Sequence, residues 1–151
     1  MSRSPPPVLV FGWGNRSRGD DALGPLFVER LRAMLEPCGG VECLDDYQLQ
    51  PEHALDLVSR ARVLFVDASL DAAPPYAVST VEPQRDASFS SHAMSPQALL
   101  QVYRDLHGSE PPAATLLAIR GEHFELGQAP GDAAMAHLEA ALAWAQGWLK
   151  G

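Results

Sequence analysis

Basic charge is scarce in this chain of 151 residues, where 11 Lys and Arg face 19 Asp and Glu for a formal net charge of −8. A nucleic-acid binder needs a basic face to neutralise phosphates, and an anionic membrane surface asks for the same, so neither is expected as a partner. Long apolar runs are missing as well. None approaches the ~20 residues of a membrane helix, and the run at residues 8–11, behind a proline-rich start, is too short for the core of a signal peptide. Cys38 and Cys43 are the only cysteines. Two such residues make neither a disulfide framework nor a zinc site, and they read as reduced and structural in a cytoplasmic protein. Familiar catalytic signatures are also absent: there is no H-E-x-x-H helix and no G-x-S-x-G elbow, and neither cysteine lies near a histidine.

What is present is enough for a core. Apolar residues make up 46% of the chain and charged ones 20%, the balance of a globular protein, and the length suits a single domain over residues 1–151 with a flexible lead at 1–7. Short apolar runs at 8–11, 41–44, 63–67, 76–81 and 113–119 read as strands. Helical spacing links Leu23, Phe27, Leu31 and Met34, and Pro25 must then lie in the first turn, so this helix starts just after Asp20 and Asp21. Pro51, Ala54, Leu55 and Val58 suggest a second helix over 51–61. Ser95 followed by Pro96 opens a third, and Met135, Leu138, Leu142, Ala145 and Leu149 mark a long final one. Strands alternating with helices predict an α/β three-layer sandwich: a roughly five-stranded, mostly parallel twisted sheet with about four helices on its two faces. Sites in such folds form at the carboxyl rim of the strands.

Three places on that rim carry chemistry. After the first strand, Gly12, Gly14 and Asn15 lead to Gly19, Asp20, Asp21 and Gly24. A dinucleotide loop is disfavoured, since Ser17 stands where the third glycine belongs and two carboxylates would repel a pyrophosphate. One aspartate suffices to cap the helix, which leaves the other over. Asp67 ends the apolar run at 63–66 and is expected at the same rim. Neighbouring strands lie ~4.8 Å apart, so groups on adjacent ones reach a common ion, and uncompensated carboxylates at close quarters call for a cation. His92 lies in the loop before the third helix and would complete a set of two carboxylates and one imidazole, suited to a borderline divalent ion with open coordination positions. His53, His107, His123 and His137 are read as structural or surface residues.

Gly12, Gly14 and Asn15 with Gly19, Asp20, Asp21 and Gly24, then Val66, Asp67 and Ala68, then Ser91, His92, Ala93, Met94, Ser95 and Pro96, together resemble the hydrogenase maturation endopeptidases. The resemblance runs from Val8 to the final helix and takes in the segment 119–127. It implies an enzyme that removes the C-terminal tail from the large-subunit precursor of a nickel–iron hydrogenase. It further implies that Asp21, Asp67 and His92 ligate a metal, and that the nickel arrives bound to the precursor, with no organic cofactor. Asp20 is then a catalytic orienter or general base. Ala22 replaces a glycine common after the acid pair, and Gln97 stands where some relatives carry the histidine. Gln48, Leu49, Gln50, Pro51 and Glu52 resemble the branch serving soluble, NAD-reducing hydrogenases. A monomer is compatible with the small size and polar surface. The rival readings are a magnesium-dependent phosphohydrolase on the same acids, with little use for His92, and a nucleotide- or metal-binding module without turnover.

Overall fold

A computed structural model describes residues 4–35, 39–85 and 94–151. Five strands form one sheet: β1 (Val8–Trp13), β2 (Val41–Asp46), β3 (Arg62–Ser69), β4 (Tyr76–Val81) and β5 (Ala113–Arg120), in the order β2-β1-β3-β5-β4. All neighbours are parallel except β4, which runs antiparallel to β5 at the edge. The helices are α1 (Leu23–Leu35), α2 (Pro96–His107) and α3 (Asp132–Lys150). The expected α/β architecture, mostly parallel with helices on both faces, is present.

The two-residue alternation of a strand divides its side chains between the faces of the sheet. Val10 of β1 with Leu64 and Val66 of β3 join Phe27 and Leu31 of α1 and Leu138 and Leu142 of α3 in one buried cluster. Leu9, Phe11 and Trp13 with Val63 and Phe65 face the other way and pack with Leu99 and Leu100 of α2. Central strands apolar on both sides are what a covered parallel sheet requires. The same parity carries Asp67, two residues beyond Phe65, toward the α2 side of the rim.

One predicted helix takes a different form. Residues Pro51–Leu57 form a 3₁₀ turn, closed by Gln50 and His53: the Gln50 backbone N–H donates to His53 Nδ1 at 2.9 Å. Ala54 and Leu57 are buried while Leu55 and Val58 point outward. A burial period of three matches a 3₁₀ turn, whereas the α-helical reading needed Leu55 and Val58 inside. Among the described residues the sheet is therefore flanked by three α-helices rather than four.

Close backbone contact sets where α1 begins. Gly24 lies against β1 and β3, and a Cβ added there would sit 2.3 Å from the Trp13 carbonyl oxygen and 3.0 Å from that of Val66. A Cβ on Gly12 would in turn meet the Gly24 carbonyl oxygen at 2.5 Å. The first turn of α1 thus rests on bare strand backbone, which holds the preceding acidic turn over the β1–β3 junction. Gly24→Ala should destabilise the protein by at least ~2 kcal/mol through backbone overpacking. Urea denaturation measures this, and wild-type stability in the variant would contradict the contact.

Candidate active site

β2 and β3 flank β1 on opposite sides, so the crevice at its carboxyl end is a topological switch point, where ligand sites form in such sheets. A cleft of about 600 Å³ opens there. Asp21 follows β1 and Asp67 lies near the end of β3, and both line this cleft. Trp13, Asn15, Tyr47 and Phe124 add polar and aromatic walls. Met94, Ser95 and Pro96, at the start of α2, close another side. The Ser95 hydroxyl caps that helix by accepting the Ala98 N–H at 3.1 Å. His92 falls outside the described residues; two positions further along the chain, Met94 is a wall of the cleft.

Neither acid of the pair caps α1. Asp21 Oδ2 accepts the Asn15 backbone N–H at 2.7 Å, which fixes its carboxylate at the cleft wall. Asn15 is held in turn, its Oδ1 accepting the Ser17 N–H at 2.8 Å and its Nδ2 donating to the Tyr47 hydroxyl at 3.0 Å. Gly14 adopts a φ of +151°, and a Cβ there would clash with the Asp21 carbonyl oxygen at 2.0 Å. The Gly-Asn step is thus a cradle for Asp21 rather than for a phosphate.

Asp20 turns the opposite way. Its carboxylate is 1% exposed and accepts three backbone N–H groups: Glu122 at 2.7 Å and His123 at 3.0 Å on Oδ2, and Gly131 at 2.8 Å on Oδ1. Burial works against its charge, but these donors outweigh it and hold the group below the usual carboxylate range. The Asp20 N–H also donates to the His123 carbonyl at 2.7 Å, and the Gly19 N–H to that of Gln128 at 2.9 Å. Asp20 is therefore the clamp between the acidic turn and the segment after β5. Of the two roles expected for it, orientation suits this geometry; a general base would need a free oxygen on the cleft, and Asp20 is not among the residues lining it. No sequence pattern announced the clamp, because its partners are main-chain groups roughly a hundred residues away.

Asp67 is in the contrary situation. Among the described residues its carboxylate accepts only the adjacent Ala68 N–H, on Oδ1 at 2.8 Å. Burial, with the nearby charge of Asp21 adding to it, pushes its pKa up to about 7 against that single donor. β3 also continues to Ser69, paired with β5, so Asp67 is gripped by strand backbone instead of ending the strand. Two carboxylates on one cleft, one of them costly to ionise, form a donor set that fits a divalent cation. Among the described residues no three His, Cys, Asp or Glu gather closely enough to hold an ion by themselves. His53 is buried and structural, its Nε2 hydrogen-bonded to Asp46 at 2.9 Å. Arg18, Tyr47 and Phe124 were not anticipated as cleft residues; Phe124 lies within the 119–127 segment that carried part of the resemblance.

The α/β sandwich is shared with a definite class, for the structural neighbours of the chain include hydrogenase maturation proteases. The maturation protease HycI from Thermococcus kodakarensis KOD1 matches 95% of this chain and 92% of its own, with a TM-score of 0.74 and 22% identity. The hydrogenase maturating endopeptidase HybD from E. coli matches 95% and 91%, with a TM-score of 0.73 and 26% identity. An endopeptidase from Escherichia coli matches 91% and 88%, at 0.70 and 25%. No family model matches the chain, and no curated protein matches it by sequence. Among the described residues no helix is long and apolar enough to cross a membrane.

The two aspartates predict opposite stability effects. Asp67 has a raised pKa in the folded state, so its cost is absent below the ordinary value near ~4 and grows as pH rises toward about 7. Without divalent ions, Asp67→Asn should therefore be more stable than wild type by about 1–3 kcal/mol at pH 8, with the gain shrinking between pH 7 and pH 4. Asp20, depressed in the fold, stabilises above its ordinary value, and Asp20→Asn turns an amide N–H toward a backbone donor, costing ~2–4 kcal/mol at pH 7. Urea denaturation across pH reads both. A wild type more stable than Asp67→Asn at pH 8, or an undamaged Asp20→Asn, would contradict these environments.

Proposed function

We propose that this chain is a metal-licensed endopeptidase that removes the C-terminal tail of a nickel-loaded nickel–iron hydrogenase large-subunit precursor. The nickel belongs to the substrate. The observation that carries the reading is the presence of Asp21 and Asp67 on one cleft, where burial and the nearby charge of Asp21 push the pKa of the Asp67 carboxyl up to about 7. Further support comes from the hydrogenase maturation endopeptidase HybD, similar over nearly the whole chain.

Licensing follows from the electrostatics. Without a cation, ionising Asp67 beside Asp21 in a partly buried cleft is costly, and a peptide alone relieves nothing. A precursor that brings a divalent ion favours the ionised form of both carboxylates, and Asp67 gives up its proton as the ion is bound. Asp21 is already oriented by Asn15 and loses little freedom. His92 is proposed as the third ligand, offered as a neutral imidazole. The nickel supplies Lewis-acid chemistry, by polarising the scissile carbonyl or by lowering the pKa of a water bound to it. Asp20 holds the turn that carries Asp21 and takes no proton from the cleft. The proposed setting is cytoplasmic and the proposed state monomeric.

The test is intact-mass analysis of a precursor, nickel-loaded and nickel-free, after incubation with the protein. The nickel-loaded precursor should lose a C-terminal peptide and the nickel-free one should not. Asp21→Ala should reduce trimming by at least about 100-fold while leaving the urea midpoint nearly unchanged. Trimming by Asp21→Ala at the wild-type rate would remove the metal-site assignment. Turnover of phosphate esters with magnesium, without loss of a peptide, would favour the phosphohydrolase reading instead.

A further inference from the structure

The chain is rich in acids, and its arginines are nearly all committed. Every other described arginine is engaged by a carboxylate or by a main-chain carbonyl. Arg18 is the exception. Among the described residues its guanidinium has no ion-pair or hydrogen-bond partner, yet it lines the same cleft as Asp21 and Asp67. It does not neutralise them, so the acids stay available to a cation while the guanidinium stays available to an anion.

The backbone beneath this free side chain is pinned. The Arg18 N–H donates to the Asn15 carbonyl at 3.1 Å, its own carbonyl accepts the Asp21 N–H at 3.0 Å, and it bridges to Gln128. The Cα is therefore fixed relative to Asp21, three residues on, while the side chain is exposed and unpaired. A guanidinium suits a carboxylate, which it binds through two parallel N–H donors. In a cleft walled by two aspartates, an acidic ligand would otherwise be repelled.

We propose that Arg18 is a specificity-determining residue that binds a carboxylate of the peptide lying in the Asp21–Asp67 cleft. The site then reads two signs of charge at once, a cation at the aspartates and an anion at Arg18. The inference rests on the endopeptidase reading for the identity of the peptide as the precursor's tail. The carboxylate has two sources, the free C-terminus of the tail or an acidic side chain within it.

Synthetic peptides matching the C-terminal tail of a nickel–iron hydrogenase large-subunit precursor separate these sources. They are prepared as the free acid, as the C-terminal amide, and with Asp and Glu replaced by Asn and Gln, and binding is measured by calorimetry alongside the trimming assay. Wild type should bind the free acid about 10- to 100-fold more tightly than the form lacking the recognised carboxylate. Arg18→Ala should erase that difference, and Arg18→Lys should keep part of it. The form that loses affinity identifies the source. Equal binding of all forms by wild type would overturn the proposal, as would an Arg18→Ala variant weakened equally toward every form. Trimming of the nickel-loaded precursor by a wild type whose peptide binding shows no carboxylate preference would defeat the role of Arg18 alone. Carboxylate-dependent peptide binding by a protein that leaves the nickel-loaded precursor untrimmed would defeat the endopeptidase reading and leave the role of Arg18 standing.

Discussion

Two carboxylates held at one edge of a sheet, with too little in the protein to balance them, are the constraint on which the rest of the structure turns. Asp21 and Asp67 follow different strands yet line one cleft, and among the described residues neither is paired with a base. Arg18 lines the same cleft and, among the described residues, forms no ion pair with them. Burial, with the charge of Asp21 adding to it, pushes the pKa of the Asp67 carboxyl up to about 7 against the one backbone donor, Ala68. Such an arrangement costs stability, a cost that a nearby positive charge offsets.

The remainder of the molecule keeps that conflict in place. Bare backbone at Gly12 and Gly24 lets α1 settle onto β1 and β3, which sets the start of the acidic turn. Asp20 ties the turn to the segment after β5 through three N–H groups, so a buried carboxylate anchors the half-buried one next to it. The adjacent aspartates therefore have opposite surroundings. One is saturated with donors and buried, the other faces the cleft with its orientation set by Asn15. Strand parity and the α2 terminus complete the enclosure on the side of Asp67.

Much of this was legible in the sequence because it depends on local pattern. Pro25 dated the start of α1 to just after the acid pair, and the apolar runs located all five strands. The rim position of Asp21 and Asp67 followed from strand ends in a parallel sheet. Other features depend on distant contacts and could not be read. The turn at Pro51–Leu57 looked α-helical because Leu55 and Val58 are apolar, but tertiary packing buries Ala54 and Leu57, on a three-residue period, together with His53. Asp20 looked like a catalytic partner because it precedes Asp21, whereas its ligands are main-chain groups far along the chain. Arg18 carries no motif at all; its interest comes from what it does not touch.

The central claim is that Asp21 and Asp67 share one cation, and a crystal soaked in a cadmium salt tests it most directly. Anomalous scattering locates the ion without reference to activity. The expected result is a peak between the two side chains, within coordination distance of a carboxylate oxygen from each, that vanishes in crystals of Asp21→Asn. A peak on only one of the two, or ordered cadmium elsewhere with none in this cleft, would contradict the claim.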